Sequence, residues 1–130
     1  MNKYELNAVL KISNDKRFKY FINKVADNGF LYGLGYENGD LETFDVKGRI
    51  YVPLWSHSEF AVSYMKEVQN LDDLNIIKID ISTFEKEYQK GFDKNNVEFF
   101  DVFPINKLTA NIVKITLLYE MLQDEIDRFL

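Results

Sequence analysis

The stretch FLYGLGYENGDLETFDVKGRIYVPLW, Phe30 to Trp55, decides the fold because it holds three strand-like runs and two turn signals. Phe30 to Tyr36 is rich in aromatic residues, which suit a pleated, half-buried surface. Asn38-Gly39 follows, and an Asn-Gly pair between apolar runs is the strongest short-range hairpin signal, since both residues tolerate positive φ. Leu41 to Val46 returns as a partner strand, Lys47-Gly48 turns the chain again, and Ile50 to Trp55 supplies the third run. The predicted unit is a three-stranded antiparallel meander. Gly33 and Gly35 share one face of its first strand, where they permit close packing or a bulge.

Upstream, Phe18, Phe21, Ile22 and Val25 recur at helical spacing, with Ser13 or Asn14 as cap and Asn28-Gly29 as the left-handed stop. A shorter helix over Tyr4 to Lys11 precedes it. Downstream, Phe60, Ala61, Tyr64, Met65 and Val68 form another helical stripe, with Ser56 or Ser58 available as cap. Asn75 to Ile81 alternates as a half-buried strand, and Ser82 or Thr83 opens a short helix that runs through Tyr88 and ends at Gly91. Val97 to Phe103 reads as an interior strand ended by Pro104, a short strand falls around Ala110 to Val113, and a final helix carries Leu117, Leu118, Met121, Leu122 and Ile126. The expectation is one α+β domain over residues 1–130: a single, mostly antiparallel sheet that begins with the meander and is covered by helices. Its edges, blunted only by Pro53 and the charges of Leu41 to Val46, invite a homodimer.

A chain of 130 residues with 46% apolar and 28% charged residues can bury one real core. It has no cysteine, which removes disulfides and thiolate chemistry, and a single histidine, which removes any metal site built on two imidazoles. No metal and no cofactor is implied. The start, MNKYELNAVLK, is too polar for a secretory core, and no apolar run approaches membrane-spanning length, so the expected compartment is the cytoplasm, without membrane contact. The net charge is −5, and it is uneven: residues 1–24 are net basic and the remainder is strongly acidic. An acidic body repels phosphate backbones, so nucleic acid is not expected as a partner. The basic stretch Lys16, Arg17, Lys19 and Lys24 reads as a solvated helix face.

Catalytic motifs are scarce. GLGYENG (Gly33 to Gly39) contains a G-x-G but lies in a hairpin, where no helix amides can point at a phosphate. Asp72-Asp73 reads as a solvated loop pair. One segment stands out: YVPLWSHSEFA, with Tyr51, Pro53, Trp55, His57 and Glu59, holds the only Trp and the only His where a strand meets a helix. Strand ends are where a rigid scaffold offers groups to ligands. Trp55 is then either a ligand platform or a core residue. His57 is either a donor or proton carrier near neutral pH, or an organiser of the helix start. Tyr32, on the first strand of the meander, can approach the same face.

This segment also carries a family resemblance. KVADNG (Lys24 to Gly29), LYGL (Leu31 to Leu34), YVPLWSH-x-EFA (Tyr51 to Ala61), I-x-I-x-x-F (Ile79 to Phe84) and VFP (Val102 to Pro104) occur in order. The chain resembles the small bacterial family catalogued as domain of unknown function 2750, from about Phe18 onward, and is more distantly similar to the N-terminal domain of the SseB family. The first family's pattern has Trp where this chain has Tyr32, and Pro where it has Ser56. The resemblance implies one compact α+β domain and no particular activity.

Two functions compete. A small acidic domain without a catalytic constellation suits protein binding, as in immunity proteins whose acidic surfaces complement basic toxins. The alternative is a small-ligand site or enzyme that uses His57 near Trp55, with Glu59 or Asp40 as a nearby acid.

Overall fold

The computed structural model describes residues 1–129. Helix α1 (Lys3–Lys11) is capped by Asn2, whose side chain accepts the Glu5 amide. Helix α2 (Asn14–Asn28) is capped by Ser13 and stopped by Gly29 at φ 84°. Both boundaries of α2 match the sequence reading, because caps are local chemistry. Arg17 does not match. It is buried, not solvated, and its guanidinium donates to the carbonyls of Leu10 and Ile12 and to Asn14. Carbonyls closing the α1–α2 corner are acceptors that a fork of N–H groups can satisfy without a carboxylate.

Strands β1 (Phe30–Gly35), β2 (Phe44–Val46) and β3 (Arg49–Leu54) follow in the predicted order. They do not form a continuous meander, and the sheet is not single, although three of the four strand pairings among the described residues are antiparallel. Instead there are two sheets. One pairs β1 with β4 (Asn75–Asp80); the other is mixed, ordered β2-β3-β5-β6, with β5 (Phe99–Val102) and β6 (Asn111–Lys114). The Lys47-Gly48 turn joins β2 to β3, with φ of 55° and 82°, the double-positive geometry of a type I′ hairpin. The Asn38-Gly39 turn also forms, as a three-residue loop: Gly39 N–H bonds to the Tyr36 carbonyl, and Gly39 sits at φ 91°. Beyond Leu41 the returning strand leaves β1. The full length of β1 is taken by β4, from Phe30↔Asp80 to Gly35↔Asn75, which buries Ile79 against the core.

The parallel pairing of β3 with β5 explains the rest of the departure. Tyr51 to Leu54 and Phe100 to Val102 are buried throughout, the pattern of strands covered on both faces. Pro53 therefore lies in an interior strand, not at an edge. It costs no ladder bond there. The Trp55 amide bonds to Tyr32 of β1, so residue 53 points at the same side, in the gap after β2 has ended. The bridge Tyr32↔Trp55, with both N–H···O bonds at 2.9 Å, links β1 to the residue that follows β3, and the bridge Gly35↔Leu41 ties β1 to the loop before β2. The outer edges of β2, β4 and β6 are the ones an expected homodimer would use.

Helix α3 (Ser58–Glu67) starts at His57, which makes no side-chain cap; Ser56 is buried and Ser58 bonds Glu59 within the helix. The next helical segment opens on Asp80, whose carboxylate takes the Thr83 amide, rather than on Ser82 or Thr83. It comprises α4 (Ile81–Thr83), a π-helical turn (Phe84–Tyr88) and α5 (Gln89–Lys94), so it passes through Gly91. The terminal helix α6 (Ile115–Asp127) packs on α2. One buried cluster, including Trp55, Phe60, Phe84, Phe100 and Phe103, lies under both sheets.

Candidate functional site

At the end of β3 the chain places Trp55, His57 and Glu59 within one turn, and β1 adds Tyr32 through the Trp55 bridge. Trp55 is wholly buried. Its ring lies 5.0 Å from that of Tyr64, and its Nε1–H donates to the Pro104 carbonyl at 2.9 Å. That bond secures the turn after β5, where Phe103 holds φ 65°, a conformation costly for a bulky residue. Tyr51 is brought to a different place: buried four residues upstream, with its ring 5.8 Å from Phe99. Tyr32, His57 and Glu59 remain half-buried at the surface.

The residue missing from the sequence reading is Tyr20, from α2. Its ring is 5.9 Å from His57 and 6.0 Å from Phe60, Lys24 Nζ lies 5.7 Å from its centroid, and its hydroxyl donates to Glu5 at 3.3 Å. Helical periodicity marked Phe18, Phe21 and Ile22 but carried no signal that Tyr20 faces a strand end.

Burial lowers the His57 pKa below its usual 6.5, against the pull of Glu59 and Glu5, so the ring is neutral at pH 7. Burial works against the Glu59 carboxylate too, but its own backbone N–H, the Ser58 hydroxyl and the Met1 ammonium, 3.4 Å away, hold its carboxyl below the ordinary range. The Ser56 hydroxyl lies 2.9 Å from His57 Nδ1. Ser56 is fully buried, so this pair orients the ring and offers no nucleophile to a substrate.

The depressed His57 pKa has a consequence for stability. Below pH 6.5 the unfolded chain takes up this proton more readily than the folded one, so His57 opposes folding as pH falls through that value toward its folded pKa. Thermal melts at pH 7.5 and 5.5 should show a steeper acid loss in wild type than in His57→Gln. Equal losses would mean the ring titrates as in the unfolded chain.

A second candidate stands at the opposite end of β3. A cleft of about 860 Å³ opens between the Tyr36–Thr43 loop and the helical segment from Glu87 to Asn95, with Ile50 and Val97 at its floor. This is the N-terminal end of β3, opposite the Trp55–His57 end. Tyr88 spans it, donating its hydroxyl to the Gly39 carbonyl at 2.7 Å, and Tyr36 donates to Glu42. Asp40 accepts from the Asn38 amide at 3.0 Å. The segment from Glu37 into β2 at Asp45 carries four carboxylates and no basic residue, and Asp40 is the one of them that lines the cleft. Gly35 makes this wall possible, because a Cβ there would fall on the Asp40 carbonyl oxygen. Among the described residues, no group of three His, Asp or Glu side chains is placed to hold a metal.

Residues 18–122 match the family described as protein of unknown function (DUF2750). The chain belongs to that family. The match spans both ends of β3: Tyr20, Tyr32, His57 and Glu59 at one, and the whole lining of the cleft at the other. Helix α1, with Glu5, lies outside the DUF2750 match, so the carboxylate that takes the Tyr20 hydroxyl is contributed by a segment the family pattern does not include. No curated protein matches the chain. Among the described residues, no helix is long and apolar enough to cross a membrane.

The cleft was not read from the sequence, although its parts were. Asn38-Gly39 reads as a turn, and Gly33 and Gly35 read as close packing or a bulge. What they approach, the π-helical turn with Glu87 and Tyr88, is distant in the chain and visible only in three dimensions.

Proposed function

We propose that the chain is a binding module for a protein partner with a basic surface, and that the partner docks against the acidic wall of the cleft. The observation that carries this reading is the cleft itself: a concavity of ligand-site size with Asp40 on one wall and Glu87 on the other, beside a loop that also carries Glu37 and Glu42. An acidic rim steers a basic partner and speeds its association. An inhibitor of a basic toxin, of the immunity-protein kind and acting in the cytoplasm, is one molecule that would use such a surface.

The test compares wild type with Asp40→Asn/Glu87→Gln as bait in affinity capture from the source cells, followed by titration of the captured protein. Both substitutions keep side-chain shape, so the melt should not change. The expected result is a captured basic protein whose affinity falls about tenfold for the variant, since each exposed charge contributes on the order of 0.2–1 kcal/mol. Capture of an acidic protein, or equal affinity for both baits, would defeat the reading.

A second reading has its own support. Tyr20, Tyr32, His57 and Glu59 form a half-buried aromatic and titratable surface at the other end of β3, suited to a small ligand or to proton transfer. The buried Ser56 weighs against nucleophilic catalysis there.

A further inference from the structure

We infer that the cleft takes a single organic cation, a guanidinium or primary ammonium group, between Tyr36 and Tyr88, with Asp40 and Glu87 as its counter-charges. The inference rests on the cleft being the partner-binding face, and it names the group the partner inserts: an Arg or Lys side chain.

Four observations converge. Asp40 and Glu87 stand on the two walls of the cleft, and neither has an ion-pair partner among the described residues. Both phenols line the cleft and are held by their hydroxyls, Tyr36 on Glu42 and Tyr88 on the Gly39 carbonyl, and Tyr88 is backed by Phe84 and Phe92, which fixes the rings at the cleft wall. Aromatic faces backed by carboxylates attract cations electrostatically, more strongly where water is partly excluded. The volume of about 860 Å³ admits a long side chain with part of its backbone. An anion fits less well, because among the described residues lining the cleft one basic side chain, Lys94, stands against two carboxylates.

The scaffold is also built in advance. Gly35 lets the loop lie against β1, and the Gly39 turn presents its carbonyl to Tyr88. A site whose walls are fixed before binding loses little freedom on capture.

The experiment is an NMR titration of the full chain with agmatine, with a nine-residue Arg-containing peptide, and with glutarate as the anionic counter-probe. Agmatine and the peptide should shift Tyr36, Gly39 and Tyr88 saturably, and glutarate should not. Asp40→Asn/Glu87→Gln should weaken agmatine about tenfold, and Tyr36→Leu severalfold, with unchanged melts. If the peptide moves the Glu37–Asp45 loop while agmatine leaves both tyrosines unmoved, the cation pocket is wrong and the docking face stands. If neither probe acts, both readings fall. Shifts spread over all acidic residues and unchanged in the variants would mean unspecific attraction and would overturn the pocket.

Discussion

Trp55→Ala should cost about 3–5 kcal/mol, roughly half the stability of an ordinary domain, and lower the melting temperature by on the order of 10–20 °C. The indole is wholly buried and touches Tyr64, so its removal leaves a cavity that neighbouring β3 and α3 cannot close. It also leaves the Pro104 carbonyl without its donor. Trp55→Phe separates the two effects. It retains most of the ring volume but deletes the N–H, and a buried carbonyl left unpaired costs about 1–3 kcal/mol. Urea melts of the three proteins would measure both. A Trp55→Ala protein as stable as wild type would restore the indole to the role of an exposed ligand platform.

Gly35→Ala should be the most damaging change at the cleft. The added methyl group would collide with the backbone carbonyl of Asp40, an atom that cannot rotate away as a side chain can. Either β1 shifts against β4 or the loop lifts, at about 1–3 kcal/mol for an overpacked position. The bonds Tyr36 N–H to Asp40 and Glu42 N–H to Leu34 should break first. Amide exchange at Tyr36 and Glu42 should therefore rise well before global unfolding, and binding at the cleft should weaken. Unaltered exchange there would show that the loop does not depend on the glycine.

What was legible in the sequence was what neighbouring residues decide. Ser13 and Gly29 bound α2, and Lys47-Gly48 turns β2 into β3, because caps and tight turns need only a few adjacent residues. Pairing between distant segments was not legible. β1 takes β4 as its partner because Asn75 to Asp80 offers six residues in register, whereas the hairpin strand offers a single bridge at Leu41. Val97 to Phe103 reads as an interior strand from its apolar run, but its parallel neighbour β3 lies far away in the chain, across helices and β4.

The candidate site divided in the same way. Trp55, His57 and Glu59 are close in sequence and in space, and the Tyr32 bridge brings in β1. Tyr20 joins them through the packing of α2, and Tyr51 departs because four residues of strand carry it about 13 Å away. The charge asymmetry is legible in the sequence, yet its place on the fold is not. The acidic loop and the His57 surface lie at opposite ends of β3, so an acidic docking face and a histidine site are two places, not one.

The central claim is that the partner meets this chain at the cleft. Hydrogen–deuterium exchange of the complex with the captured partner, compared with the free chain, tests it directly. The account predicts new protection across the Tyr36–Thr43 loop and the Glu87–Asn95 helix, with Tyr32 and His57 unchanged. Protection confined to Tyr20, Tyr32 and the start of α3 would contradict it and move the binding face to the other end of β3.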